Sequence, residues 1–221
     1  MYNLIDGRLG YLLFTLIGFL SGSILYCKIL PRIFMNKDVC ECSDDKNPGT
    51  FNVFASCGVI MGSVCLILEL CKGLLPVYVS LNYLNPQNPL FSAVICAPVI
   101  GHALAPFDHF KGGKGIAVTF GVLLAILPVS NIVFLLAAIY IITSTLVKIN
   151  PHRKRSILAF AVFAGLATPI LLRQNLASIA IAAAVISLTV IYKHTSKFCT
   201  PEVLREEEEE RLNSKKRSKR V

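Results

Sequence analysis

Long apolar runs follow one another through almost the whole of this sequence, and they constrain its fold more than any other feature. Seven such runs are found, near residues 9–27, 57–79, 91–107, 116–128, 130–147, 157–172 and 176–192. A bilayer core about 30 Å thick needs about 20 helical residues, and shorter spans are tolerated where helices pack or tilt. With 54% hydrophobic and only 16% charged residues, the chain is too apolar for an ordinary soluble domain. The sequence therefore predicts an all-α integral membrane protein, a bundle of seven transmembrane helices.

The distribution of lysine and arginine predicts how this bundle is oriented. If the N-terminus lies outside, the inward segments are 28–56, 108–115, 148–156 and 193–221, and they hold 19 of the 22 basic residues. The outward loops near residues 80–90 and 128–131 hold none. By the positive-inside rule, we expect the N-terminus outside and the C-terminus in the cytoplasm.

A charged tail, residues 200–221, follows the predicted membrane domain of residues 1–199. Five consecutive glutamates are followed by a cluster of lysines and arginines, and such blocks are usually solvated or disordered. The basic end can lie on anionic lipid. The net charge of +9 is spread between and after apolar runs instead of covering one polar domain. We therefore expect membrane lipids as partners, and no nucleic acid.

A basic glycine-rich segment, Phe-Lys-Gly-Gly-Lys-Gly, lies between the third and fourth runs. Gly112, Gly113 and Gly115 lack the Cβ that keeps a backbone away from a ligand. Lys111 and Lys114 add positive charge beside exposed N–H groups. A nucleotide P-loop is disfavoured, since it needs Ser or Thr where Gly115 stands. The segment predicts a phosphate-binding loop, and the alternative is a plain turn with two solvated lysines.

Other polar residues lie within or beside the apolar runs. Glu69 and Lys72 are three residues apart in the second run, so they can pair on one helix face. His102 and His194 each lie near the inward end of a run, at about the level of the inner headgroups. The segment that begins at Asn47, Asn-Pro-Gly, predicts a defined bend.

The eight cysteines of the chain are scattered, and they form no convincing metal site. Cys40 and Cys42 are the only close pair, and a CxC without a second pair is a weak zinc motif. Four other cysteines lie in or beside apolar runs, where a thiol behaves as a small hydrophobe. We therefore expect no bound metal.

Six segments, taken in order, resemble the motifs of one family, the bacterial integral-membrane glycerol-3-phosphate acyltransferases that use acyl phosphate as donor. These segments are residues 22–24, 47–54, 69–76, 101–117, 156–157 and 191–194. The fourth is the most specific, because it resembles the family pattern GHxFPxFxxFKGGKGVA. The second resembles GSGNPGATNVFR, and the third resembles LDxLKGxxP.

The resemblance implies a compact seven-helix bundle in the cell membrane, with an active site on the cytoplasmic face. It also implies the reaction, in which the 1-hydroxyl of glycerol 3-phosphate attacks acyl phosphate to give lysophosphatidic acid and phosphate. The donor is already activated, so no cofactor, nucleotide or metal is expected, and we expect a monomer. The implied catalytic residues are Lys114 and His194. The implied substrate- or phosphate-binding residues are Asn47, Gly49, Asn52, His102, Lys111, Gly112, Gly113 and Gly115.

This chain departs from the family motifs at several positions. Asp45 stands where the second motif has serine, Asp44 and Lys46 replace its glycines, and Ala55 replaces its arginine. Later in the chain, Arg153 replaces a family serine and Lys197 replaces an asparagine.

These departures leave an alternative open, a catalytically impaired or altered-substrate relative that binds a lipid phosphate or a protein partner. A third hypothesis, a small transporter, predicts paired broken helices or an internal repeat. The sequence contains neither.

Overall fold

The computed structural model describes residues 7–43, 46–147, 149 and 152–195, and within these ranges its regular elements are all helical. They are α1 (Arg8–Ser23), α2 (Tyr26–Met35), α3 (Thr50–Ser80), α4 (Phe91–Leu104), α5 (Ile116–Ala125), α6 (Ile132–Ile141), α7 (His152–Arg173) and α8 (Ala177–Thr195). A short 3₁₀ turn, Pro106–Asp108, precedes the glycine-rich loop, and a π-helical turn, Ile142–Leu146, extends α6. The tail at residues 200–221, Asp44, Asp45 and Lys197 lie outside the described residues.

Each of the seven predicted apolar runs coincides with a helical segment. Five segments within the described part are long and apolar enough to cross a membrane: Arg8–Met35, Thr50–Ser80, Phe91–Asp108, His152–Arg173 and Ala177–Thr195. The other two runs form the shorter apolar helices Ile116–Ala125 and Ile132–Leu146. The prediction of an all-helical membrane protein is confirmed, while the count of seven spans and their orientation stay predictions.

The first predicted run is interrupted, because α1 ends at Ser23 and α2 begins at Tyr26. Ile24 adopts an extended conformation, with φ −78° and ψ 120°. The backbone carbonyl of Ile24 accepts a 2.5 Å hydrogen bond from Nζ of Lys72. The predicted span over residues 9–27 is therefore helical but interrupted, since a contact with α3 takes the place of a helical hydrogen bond.

The long helix α3 contains a kink at Gly58, which has φ 83° and ψ 179°. A positive φ of this size is readily adopted only by glycine. The kink falls next to the start of the second predicted run. It separates a short helical segment, which carries Asn52, from the apolar span that carries Glu69 and Lys72.

The core of the bundle is built around α4, which packs against both α1 and α8. Its buried side chains include Phe91, Ile95 and Val99. A Cβ built on Gly22 of α1 would overlap the Pro98 carbonyl, so the two helices touch through their backbones. Small residues commonly permit such close contacts between membrane helices. This packing fixes the end of α4, from which the glycine-rich loop departs.

Candidate active site

The glycine-rich loop folds back over the C-terminal end of α4. Helix α4 ends at Leu104, and the next residue, Ala105, has φ 46° and an N–H that donates to the Gly101 carbonyl at 2.7 Å. His109, just before the loop, and Phe110, its first residue, also have positive φ values, of 51° and 60°. The N–H of Gly113 then donates to the His102 carbonyl at 3.1 Å. The chain thus returns to the helix that it has just left, and α5 begins immediately after the loop.

Two glycines of this loop are needed because the loop lies so close to α4. A Cβ on Gly112 would overlap the carbonyl oxygens of His102 and Ala103. A Cβ on Gly113 would overlap the imidazole ring of His102. The sequence suggested that these glycines make room for a ligand. In the structure, the space beside them is occupied by the end of α4.

His102 belongs to a buried polar triad with two residues of α3. Nζ of Lys72 lies 2.8 Å from Oε2 of Glu69 and 2.9 Å from Nδ1 of His102. Oε2 of Glu69 lies 3.2 Å from the same Nδ1. The predicted pairing of Glu69 with Lys72 is confirmed, and His102 joins it. The ring of His102 therefore lies between this ion pair and Gly113, where it supports the loop.

The Asn-Pro-Gly segment forms a tight bend at the start of α3. The backbone carbonyl of Asn47 accepts hydrogen bonds from the N–H of Gly49 and from Nδ2 of Asn52, both at 2.8 Å. Asn47 is buried. A Cβ on Gly49 would lie only 2.6 Å from Nδ2 of Asn47, so the bend is closely packed. The predicted bend is thus confirmed, and three of the predicted site residues lie together in it.

His194 is buried in the last turn of α8, although it lies next to the charged end of that helix. Its Nδ1 lies 2.8 Å from the Val190 carbonyl. A carbonyl oxygen can only accept, so Nδ1 carries the proton and donates. The other ring nitrogen, Nε2, is therefore the atom that remains for a substrate.

Three cationic or titratable side chains from other elements act electrostatically on His194. Lys114 of the glycine-rich loop, and His152 and Arg153 of α7, lie within electrostatic reach of its ring. Next to Lys114, a Cβ on Gly115 would lie 3.9 Å from Cγ2 of Val190, so the start of α5 meets the last turns of α8. The structure therefore brings together the two predicted catalytic residues, Lys114 and His194.

The start of α7 also contacts the start of α3. The rings of Phe51 and His152 pack edge to face, with 5.5 Å between their centroids. This contact places the Asn-Pro-Gly bend beside the element that carries Arg153. Of the two loop lysines, Lys111 has an exposed side chain, whereas Lys114 is half-buried.

Sequence reasoning missed two features of this region. His152 was not considered, although it begins a run of four basic or titratable residues just before an apolar segment. The second feature is an ion pair between Nζ of Lys28 and Oδ1 of Asp108, 2.6 Å apart, which ties α2 to the 3₁₀ turn before the loop. No pattern in the sequence connects these two residues, which are 80 positions apart.

An apolar groove of about 560 Å³ runs beside the glycine-rich loop, between α4 and α8. Its lining residues are Ile100, Ala103, Leu104, Phe110, Leu188, Thr189, Tyr192 and Lys193. Lys193 supplies the single charged side chain of this lining. Among the residues that the structure describes, no group of three or more His, Cys, Asp or Glu side chains could hold a metal ion.

Comparison with known proteins finds one family. A family model described as "Glycerol-3-phosphate acyltransferase" matches residues 12–199. A glycerol-3-phosphate acyltransferase of Thermotoga petrophila is 32% identical over 137 residues, which cover 62% of this chain and 69% of that protein. One of Legionella pneumophila (strain Corby) is 32% identical over 189 residues, which cover 85% of this chain and 65% of that protein.

A solved structure has the same fold. It is the crystal structure of PlsY, described as an integral membrane glycerol 3-phosphate acyltransferase, in its glycerol 3-phosphate form. The TM-score is 0.72 and the sequence identity 22%, and the match covers 85% of this chain and 90% of that one. A second crystal structure of PlsY, in the lysophosphatidic acid form, gives a TM-score of 0.70.

Proposed function

This chain belongs to the glycerol-3-phosphate acyltransferase family, and we propose that it moves an acyl chain from acyl phosphate to the 1-hydroxyl of glycerol 3-phosphate. The product is lysophosphatidic acid, an early intermediate of phospholipid synthesis. The observation that supports this proposal most strongly is the approach of the glycine-rich loop to the end of α8, where Gly115, next to Lys114, meets Val190, one turn before His194.

In the proposed reaction, the hydroxyl oxygen of glycerol 3-phosphate attacks the carbonyl carbon of acyl phosphate. A new C–O ester bond forms, the bond from that carbon to the phosphate oxygen breaks, and the hydroxyl proton ends on the leaving phosphate. Inorganic phosphate leaves with the electron pair. Negative charge therefore develops on the leaving phosphate, where a fixed cation and N–H donors lower the barrier most.

Each site residue takes a part in this scheme. Lys114 contacts the phosphate of the donor from a loop that Gly112 and Gly113 allow to pack against α4. Nε2 of His194 faces the substrate, as a phosphate-binding or positioning group. The bend at Asn47, Gly49 and Asn52, together with Lys111, completes the proposed phosphate-binding surface, whereas His102 acts by holding the loop.

The apolar groove beside Phe110 offers the acyl chain of the donor a place next to the loop. Its volume of about 560 Å³ and its apolar walls suit a hydrocarbon chain. Lys193 lies in the same lining. The acyl phosphate donor can therefore have its anionic phosphate at the loop while its apolar chain lies in the groove.

We also propose how the protein lies in its membrane. The five long apolar segments and the two short ones support seven spans, and the distribution of basic residues supports a C-terminus and an active site on the cytoplasmic face of the cell membrane. The membrane domain ends near residue 199, and the charged tail follows it. We propose that one such chain is sufficient for activity, as a monomer.

The donor is tested with the purified protein in lipid vesicles. Glycerol 3-phosphate is supplied with either acyl phosphate or an acyl thioester of the same chain length, and lysophosphatidic acid is measured. We expect product with acyl phosphate, together with an equal amount of inorganic phosphate. Product from the thioester alone would contradict the proposed donor.

A further inference from the structure

A second apolar groove, of about 290 Å³, lies between α1 and α4, and the proposed reaction does not yet use it. Its lining residues are Leu12, Thr15, Leu16 and Phe19 of α1 and Ala93, Cys96, Ala97 and Ile100 of α4. Ile100 also lines the groove of about 560 Å³ beside the glycine-rich loop, which we call the loop groove. The two grooves therefore adjoin at one side chain.

The α4 residues of both grooves share one face of that helix. They are Ala93, Cys96, Ala97, Ile100, Ala103 and Leu104. With about 3.6 residues per turn, these positions fall within a sector about 120° wide. Ile100, which is half-buried, lies in the middle of this sector. A hydrocarbon chain that continues from the loop groove into the second groove therefore passes over Ile100.

Helix α1 supplies the wall of this path beyond the loop groove. The hydroxyl of Tyr11 donates to the carbonyl of Asn85, just before α4, at 3.2 Å. Farther along both helices, a Cβ on Gly101 would overlap the Phe19 carbonyl. The two helices thus run side by side in the same direction. The path is bounded by α8 near the loop and by α1 beyond Ile100.

The length of the path matches that of a membrane acyl chain. From Leu104 to Ala93, the α4 backbone rises about 16 Å, and from Leu104 to Ile100 about 6 Å. One leaflet of the hydrocarbon core is about 15 Å thick. An extended chain advances about 1.2 Å per single bond, so a palmitoyl chain extends about 18 Å and an octanoyl chain about 8 Å. An octanoyl chain that starts at the loop therefore ends near Ile100, whereas a palmitoyl chain reaches Ala93.

The two ends of the path differ in polarity. Lys193 lines the loop groove, beside the glycine-rich loop. The lining of the second groove is apolar except for Thr15, whose hydroxyl donates to the Tyr11 carbonyl at 2.7 Å. The path thus suits a molecule with an anionic head and a single long apolar tail, as the acyl phosphate donor has.

We propose that the acyl chain of the donor follows both grooves, and that Ile100, where they meet, determines which chain length the enzyme prefers. This inference rests on the proposed function, and it adds a specificity-determining residue. In a bilayer the chain is out of water whether it lies in the groove or among lipids, so the groove selects by packing. A long chain held along α4 keeps its carbonyl in position at the loop, and a chain that leaves the groove does not.

The variants Ile100→Phe and Ala93→Phe test this assignment, because each adds bulk at one point of the path. In lipid vesicles, kcat/KM is measured with palmitoyl phosphate and with octanoyl phosphate as donor. For Ile100→Phe, we expect the ratio of palmitoyl to octanoyl to fall at least about fivefold, since apolar pockets discriminate about tenfold or more per misplaced methylene. For Ala93→Phe, we expect the same fall, with octanoyl phosphate used within about twofold of the native rate.

Leu13→Phe is the matched control, because Leu13 is an exposed residue of α1 that lines neither groove. We expect its ratio to stay within about twofold of the native value, as for most surface substitutions. An unchanged ratio in either folded test variant would overturn the assignment, and so would an equal fall in Leu13→Phe. Thermal unfolding midpoints are measured in parallel. Ala93 is exposed, so Ala93→Phe decides the outcome if Ile100→Phe does not fold.

A labelling measurement separates this inference from the proposed function. The probe is an analogue of palmitoyl phosphate in which CH₂ replaces the bridging oxygen, so that the chain cannot be transferred, and its last carbon carries a photoreactive diazirine. We expect label at residues 12–16 of α1 and 93–97 of α4. An excess of the same analogue without diazirine should suppress this label, and Ile100→Phe should reduce it at least about fivefold.

Such labelling supports the inference even if no lysophosphatidic acid is formed. Label spread evenly over the lipid-facing helices, or label that the competitor does not suppress, would overturn it. The chain would then lie among the membrane lipids, and the second groove would hold ordinary lipid. Turnover accompanied by that result would leave the proposed function standing.

Discussion

Nζ of Lys72 lies 2.9 Å from Nδ1 of His102, and this contact joins α3 to the end of α4. The carbonyl of the same histidine accepts the N–H of Gly113. The buried triad therefore connects directly to the glycine-rich loop, and through it to Lys114. The position of the proposed phosphate-binding lysine depends on an ion pair in the interior of the protein.

Removing one member of the buried ion pair should destabilise the protein strongly. The side chains of Lys72 and Glu69 are only 1% and 2% exposed, so Glu69→Met leaves a buried ammonium without its carboxylate. Such a change costs about 3–5 kcal/mol. The double variant Glu69→Met with Lys72→Met leaves neither charge, and we expect it to be more stable than Glu69→Met alone. The free energies of unfolding of the single and the double variant are measured by reversible unfolding in detergent.

The ion pair between Lys28 and Asp108 is the matched comparison, because its side chains are 21% and 23% exposed. We expect Lys28→Met to lower the free energy of unfolding by no more than about 1 kcal/mol. If Glu69→Met and Lys28→Met lowered the free energy of unfolding equally, burial would not determine how much these ion pairs contribute to stability.

Gly113→Ala should reduce acyl transfer without a comparable loss of overall stability. The added methyl group would overlap the His102 ring, so the loop must move away from α4 and carry Lys114 with it. We expect kcat to fall at least about tenfold, since small displacements of a positioned group have large effects on rate. The measurement is steady-state turnover in lipid.

Gly165→Ala in α7 is the control for that substitution, because a Cβ at Gly165 meets no atom within 4 Å. We expect native turnover and unchanged or slightly increased stability, as for alanine replacing glycine within a helix. If Gly113→Ala and Gly165→Ala lost turnover equally, the loss in Gly113→Ala could not be attributed to the overlap with His102.

The two lysines of the loop should differ in their importance. Lys114 is half-buried and reaches His194, whereas Lys111 is exposed. We expect Lys114→Ala to lower kcat by about a hundredfold or more, as when a donor to developing negative charge is removed. Lys111→Ala should lower it less than about fivefold, because an exposed charge is screened. A larger loss in Lys111→Ala would reverse the assignment of the two residues.

Gly22→Ala should destabilise the contact between α1 and α4. The Cβ of the new alanine would overlap the backbone carbonyl of Pro98, which cannot change its rotamer as a side chain can. We expect a loss of about 1–3 kcal/mol in the free energy of unfolding, typical of an overpacked interior. Gly7→Ala is the control, since a Cβ there meets no atom within 4 Å, and its stability should not change measurably.

Much of the fold could be predicted from hydropathy, because a helix long and apolar enough to cross a bilayer is a property of a continuous segment. The break at Ile24 could not, since it lies within an unbroken apolar run. Its cause is a contact with Lys72, 48 positions away. The kink at Gly58 could not be predicted either, because the sequence does not reveal which glycines adopt a positive φ.

The candidate site could be predicted in part. Lys114 and His194 were chosen from short motifs, and the approach of Gly115, next to Lys114, to Val190 of α8 brings them into one region. The glycines of the loop were also found, although the reason for two of them differs from the one expected. The role of His102 and the place of Arg153 depend on how α3, α4 and α7 pack, which no local pattern encodes.

The most direct test of the account is acyl transfer by the native chain in lipid vesicles. With acyl phosphate and glycerol 3-phosphate supplied, we expect lysophosphatidic acid and inorganic phosphate to form in equal amounts, and Lys114→Ala to lose at least about 99% of this turnover. A folded native protein that makes no product, while the variant Asp45→Ser with Ala55→Arg does, would contradict the account. The chain would then be a binding or altered-substrate member of its family.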